Sequence, residues 1–186
     1  MPTRDARNGR IVTGDWHSVQ KLVEIIKSRD PSLSEADIFR ALCADVYQLL
    51  SADLISIWSI EDDGESIVRR YLFEQGEEVI QDPASAVRLK RDEHPEYFAE
   101  ILSSIYVLAP DVRANPHLES LVANYFDPQR VTSLLDYVIY RHLEPVGIIC
   151  CEARERRDWK IDEVEKIRAL TVAMSFEFEA HIFPLT

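Results

Sequence analysis

Glycine is scarce in this 186-residue chain: five residues, none grouped as a phosphate-cradling loop requires. Cysteine is scarcer still. The three present include an adjacent pair, Cys150-Cys151, and no disulfide framework or Cys-x-x-Cys motif is spelled out. Positive charge is also short: 21 Lys and Arg stand against 33 Asp and Glu, a net charge of −12. That balance repels nucleic-acid backbones and anionic lipid, which excludes both as principal partners. No apolar run approaches the roughly 20 residues that span a bilayer. The opening MPTRDARNGR lacks the apolar stretch of a signal peptide, so the expected location is the cytoplasm.

What is present is the makings of a core. Apolar residues make up 46% of the chain and charged residues 29%, which suits one globular domain. Asp15 opens a first helix with Trp16, Val19, Leu22, Val23 and Ile26 at helical spacing, and Asp30-Pro31 stops it. Ser34 caps a second helix with Ile38, Leu42, Val46 and Leu49 on one face. The period then changes to that of strands, at 54–60 and 67–73, joined by the turn Glu61-Asp62-Asp63-Gly64. Short strands are predicted near Val79, at 87–89 and at 106–109. Short helices are predicted from Pro95 to Ser104 and from Asn115-Pro116 to about Tyr125. The segments 133–140 and 146–152 form a central hairpin joined by Arg141–Pro145, and 161–183 is one long helix with an acidic first turn. The order predicts an α+β domain, a sheet covered by helices.

Chemistry-bearing constellations are few. No Gly-x-Ser-x-Gly elbow is present, and no kinase or nucleotidyl cyclase signature, so no catalytic residues are assigned. The histidines at 17, 94, 117, 142 and 181 are scattered, with no pair at i, i+4, and no metal site is assigned. His94 and His117, beside prolines, read as solvent-facing or loop-anchoring, with His94 a minor ligand candidate. Successive strand residues point to opposite faces, so Cys150 and Cys151 cannot share an ion, and all three cysteines read as small buried residues.

Three segments give the sequence a family likeness, Ser133-Leu-Leu-Asp-Tyr-Val-Ile-Tyr, Pro145-Val-Gly-Ile-Ile-Cys-Cys-Glu and Trp159-Lys-Ile-Asp-Glu-Val-Glu-Lys-Ile, and two upstream of them add to it, His94-Pro-Glu-Tyr-Phe and Ala109-Pro-Asp-Val-Arg-Ala-Asn-Pro. Over about residues 34–182 the chain resembles the GAF domains that precede histidine kinase or diguanylate cyclase modules. Val138 stands where the family has a hairpin proline, and Lys160 where it has a capping Thr. The resemblance implies a six-stranded antiparallel sheet with terminal helices on one face and a ligand pocket under short helices and loops on the other. It divides the chain into a segment 1–33, with a dimerisation helix, and a GAF domain 34–183 that includes the long last helix. The Cys-His of bilin-binding members and the Asn-Lys-x-Phe-Asp-Glu of cyclic-nucleotide members are both missing.

Strand alternation then locates a site. Ile55 and Ile57 should face the terminal helices, which turns Ser56 and Trp58 toward the pocket. Leu134, Asp136 and Val138 share one face of their strand, and Cys150 and Glu152 one face of the next. Asp136 and Glu152 are odd in such apolar runs, because a buried carboxylate must find a partner, either a loop amide or an Arg such as Arg113. The candidate ligand-binding residues are Trp58, Tyr97, Phe98, Tyr125, Asp136 and Glu152, an aromatic wall with few polar groups. No cofactor is assigned. The last helix carries two apolar stripes, Val164/Ile167/Thr171/Met174/Phe178 and Ala169/Val172/Phe176/Ala180/Phe183, and the second, with the first helix, predicts a parallel homodimer. The expected function is a small-molecule sensor controlling a histidine kinase or diguanylate cyclase, in cis or in trans. Alternatives are a GAF-fold enzyme of the free methionine-R-sulfoxide reductase type and a ligand-free dimerisation domain.

Overall fold

The computed structural model describes residues 34–80 and 85–177. The predicted first helix, Pro83 and the last apolar positions Phe178, Ala180 and Phe183 lie outside them. Helix α1, Glu35–Leu50, begins where expected: Ser34 Oγ accepts from the Asp37 amide at 3.2 Å, and the Asp37 carboxylate accepts from the Ser34 amide at 3.0 Å. Its buried stripe is wider than expected. Phe39, Leu42, Cys43, Val46 and Leu50 are buried, while Ile38 and Leu49 flank the stripe half-buried.

Seven strands follow: β1 Leu54–Glu61, β2 Ser66–Glu74, β3 Glu77–Glu78, β4 Arg88–Lys90, β5 Tyr106–Ala109, β6 Ser133–Arg141 and β7 Glu144–Ala153. They form one antiparallel sheet in the order β3-β2-β1-β7-β6-β5, with β4 on the same edge of β2 as β3. The six expected columns are present, and one column holds two strands. Helix α2, Pro95–Ser103, and helix α3, Ile161–Glu177, complete the long elements. Among the described residues no helix is long and apolar enough to cross a membrane.

The sheet separates two cores. On one face α1 and α3 cover Ile55, Ile57, Tyr71, Leu135, Ile149 and Cys151. On the other, α2 and the loops cover Trp58, Leu134, Val138, Ile148 and Cys150. A bulge in β2 matters here: Ile57 pairs with Tyr71 but Trp58 pairs with Arg69, so Arg70 is passed over. Regular alternation would put residues 69 and 71 on the same face. The bulge instead leaves Tyr71 in the helix-side core and sets Arg69 over Trp58.

Three local results differ from the sequence reading. The β6–β7 connection is a two-residue turn, His142-Leu143, with both φ angles positive (51° and 73°), and Pro145 already lies within β7. The expected single helix near Tyr125 is a segment of mixed pitch: 3-10 at Pro116–Leu118, α at Glu119–Leu121, π at Val122–Phe126 and α again at Asp127–Gln129. Pro128 lacks an amide to donate to the preceding turn, and just before it the Asp127 amide reaches back five residues to the Val122 carbonyl. The third result is at Lys160, where the missing Thr cap is replaced from the other side. The Glu163 carboxylate accepts from the Lys160 amide at 2.7 Å and also holds the Arg157 guanidinium. Arg157 lies 4.1 Å over the Trp159 ring and donates to the Leu50 carbonyl, tying α3 to the end of α1.

Candidate functional site

The three central strands β1, β7 and β6 present their outer side chains to the α2 side of the sheet. Register fixes the geometry: Ser56 lies opposite Cys150, Asp136 opposite Cys150 across the other edge of β7, and Leu134 opposite Glu152. Asp136 and Glu152 are therefore diagonal neighbours on one face of adjacent strands, within mutual reach. The cover comes from Leu89 on β4, Tyr97 on α2, and Leu121, Tyr125 and Phe126 on the mixed-pitch segment.

These groups enclose a cavity of about 10 Å³, roughly what one water needs. Trp58, Tyr97, Tyr125, Asp136 and Glu152 all line it. Phe98 is fully buried with its ring edge-on to Tyr97, centroids 5.9 Å apart, and supports the wall from behind. Trp58 donates its indole N–H to Ser56 Oγ at 2.8 Å and meets the Tyr125 ring edge-on at 5.7 Å. Its polar handle is thus used within its own strand, and its ring is left to pack.

The two carboxylates are almost entirely shut off from solvent. Asp136 Oδ2 accepts from the Tyr97 hydroxyl at 2.9 Å, and Glu152 Oε2 accepts from the Tyr125 hydroxyl at a longer 3.3 Å. Among the described residues, Asp136 Oδ1 and Glu152 Oε1 have no hydrogen-bond partner. Burial pushes the Asp136 carboxyl up to about 6, opposed by the Cys150 thiol beside it and by Tyr97. Burial, then the Asp136 charge, pushes Glu152 up to about 8, opposed by Tyr125 and Arg69. Burial first, then the neighbouring carboxylate, raises the Tyr97 and Tyr125 phenols well above their ordinary value, so both remain donors. The proposed partner Arg113 is elsewhere: it holds Asp127 and the Val131 carbonyl, and two tyrosines serve the carboxylates instead.

Arg69 and Gln129 were not foreseen. The Arg69 guanidinium sits 5.7 Å from the Trp58 ring centroid and donates to Gln129 Oε1 at 3.0 Å, closing the rim between β2 and the mixed-pitch segment. No sequence signal places Arg69 there, because the bulge that turns it is set by pairing. Leu134 and Cys150, by contrast, follow from strand alternation once Asp136 and Glu152 are chosen. His94 proves buried, not solvent-facing. Its Nδ1 lies 3.0 Å from Ser120 Oγ, anchoring α2 to the mixed-pitch segment, and burial lowers its pKa.

The cysteines divide as strand geometry requires, Cys150 toward the cavity and Cys151 toward α1 and α3, where Cys43 also lies. All three are free and buried, and burial pushes every thiol well above its ordinary value. Among the described residues no group of three or more His, Cys, Asp or Glu could hold a metal ion.

No protein-family model and no curated protein matches the sequence. Solved structures do match the fold. The GAF domain of an Acinetobacter phosphoenolpyruvate-protein phosphotransferase superposes with a TM-score of 0.65 at 15% identity, over 86% of this chain and 89% of that one. A phycocyanobilin-bound GAF domain from a cyanobacterial phytochrome gives 0.61 at 22% identity, over 86% and 94%. The free methionine-R-sulfoxide reductase of Neisseria meningitidis, in complex with its substrate, gives 0.64 at 11% identity, over 88% and 89%. With the strand order and the helix-covered and loop-covered faces described above, this likeness identifies the chain as a domain of the GAF fold.

Proposed function

We propose that the chain is a small-molecule-binding sensory module whose ligand is held by Trp58, Tyr97, Tyr125, Asp136 and Glu152, with Phe98, expected in the same wall, backing Tyr97 rather than lining the cavity. One observation carries this reading: two buried carboxylates each turn an unpartnered oxygen into an aromatic-walled cavity. An unsatisfied buried acceptor costs about 1–3 kcal/mol. A fold that keeps two of them side by side is using them for something other than stability. The solved neighbours support the class, since one holds phycocyanobilin and another its substrate.

The module has no catalytic role in this reading. A reductase needs an accessible thiolate, and here burial raises all three thiols, with Cys150 and Cys151 on opposite faces. The signal passes to a histidine kinase or diguanylate cyclase, on the same chain or a separate one, in the cytoplasm. Residues 34–183 form the sensory domain, and residues 1–33 pair with the last helix of a second copy in a parallel homodimer. Val172 on α3, 44% exposed, belongs to the stripe assigned to that contact. Ala169 of the same stripe is packed half-buried against the helix-side core, which narrows the contact to the later positions.

Native mass spectrometry of the protein purified from its own cells tests the reading. The expected result is a mass excess of a small molecule that disappears on denaturation. NADPH-coupled turnover of free methionine-R-sulfoxide would overturn the non-enzymatic assignment.

A further inference from the structure

The lining of the cavity says which ligand chemistry it can accept. The polar groups turned into it from the sheet are the two carboxyls and the Cys150 thiol, which sits against Asp136. Among the described residues Asp136 Oδ1 and Glu152 Oε1 have no hydrogen-bond partner, and the two tyrosine hydroxyls are spent on the other oxygen of each carboxyl. The Trp58 N–H is spent on Ser56. An anionic ligand would meet an acidic pair in which burial already disfavours the charged form, at a desolvated site where a further like charge is costly. A neutral apolar ligand would leave both oxygens orphaned. A ligand bringing N–H donors satisfies both oxygens at once, and a positive charge draws the pair into its ionised form and is attracted to the ring faces around it.

Resting on the sensory reading above, we propose that the ligand is a small organic cation, a primary ammonium or guanidinium with a short apolar body. Its N–H donors go to Asp136 Oδ1 and Glu152 Oε1, and its body lies against Trp58, Tyr97 and Tyr125. The cavity of about 10 Å³ is too small for such a molecule as it stands. Room comes from the cover, where the mixed-pitch segment carries Leu121 and Tyr125. That segment changes from 3-10 to α to π between Pro116 and Phe126, and π turns are rare and concentrate at functional sites. Binding selects the conformation in which this segment has moved outward.

Three four-carbon probes test the charge: n-butylammonium, n-butanol and butyrate, each titrated calorimetrically into the full chain. The ammonium is expected to bind at least about tenfold more tightly than the alcohol, which corresponds to about 1.4 kcal/mol, with butyrate weakest. The double variant Asp136→Asn/Glu152→Gln, which keeps an acceptor for each tyrosine, should lose that preference while folding normally by circular dichroism. Alcohol or butyrate binding as tightly as the ammonium overturns the cation assignment and leaves the sensory reading standing. Binding of none of the three, with a co-purified molecule still seen by native mass spectrometry, likewise overturns the cation assignment alone. Binding of none and no co-purified molecule overturns both.

Discussion

At the scale of single residues, Asp136 and Glu152 set the pH behaviour of the fold. Tyr97 faces them from α2, Tyr125 from the mixed-pitch segment, Arg69 from β2, and Cys150 from β7. Unfolded, the two acids ionise near 3.8 and 4.5; folded, near about 6 and about 8. Between those values the folded chain binds more protons than the unfolded one, so these groups make stability fall as pH rises from about 4 to about 8. Glu152→Gln should therefore raise the unfolding free energy by on the order of 2 kcal/mol at about pH 9 and change it little at about pH 4. Urea denaturation at both pH values checks this; a variant destabilised at the higher value contradicts it. Tyr97→Phe acts oppositely: it strips the donor from Asp136 Oδ2 and should cost about 1–3 kcal/mol in the same measurement at neutral pH. The oddity of both carboxylates was legible in the sequence, because each interrupts an alternating apolar strand. Their partners were not, since Tyr97 and Tyr125 reach them only after α2 and the loop segment fold over the sheet.

At the scale of elements, what could be read followed from local signals. Ser34 with Asp37, Pro95, and the β-branched runs at 54–60 and 133–140 each announce a boundary or period that the chain obeys. Where competing local signals overlap, as at Asn115-Pro116 and Asp127-Pro128, the reading gave one helix and the structure gives four stretches of three pitches. The β6–β7 turn was misread for a related reason. His142-Leu143 has none of the Asn-Gly chemistry that marks a two-residue turn, and the strands impose it. Leu143 therefore sits at φ 73° with its side chain 91% exposed, strain without burial in return. Leu143→Gly should raise thermal stability by about 0.5–1 kcal/mol, the left-handed strain relieved outweighing the added unfolded-state entropy. A lower melting temperature for that variant would contradict the reading of the turn.

For the whole molecule, the sheet divides labour between its two faces. One is sealed by α1 and α3, with Arg157 joining the end of α1 to the start of α3. The other carries the carboxylate pair beneath a cover of short pieces, the part of a fold that opens most cheaply. A molecule binding under that cover would shift its pieces, and the sheet would carry the change to α3 and to the proposed homodimer contact. Sedimentation equilibrium should show a dimer at tens of micromolar, about the range of a modest self-association, and a monomer there would remove the dimer from the proposal. The central claim is that small-molecule binding occurs on the loop-covered face and nowhere else. Hydrogen–deuterium exchange of the full chain, with and without the protein-free small-molecule fraction of its own cells, tests it most directly. The account predicts added protection in peptides covering 54–61, 95–103, 116–129 and 133–141, and no protection in any peptide alone from 35–50. No change anywhere, or protection confined to α1 and α3, would contradict it.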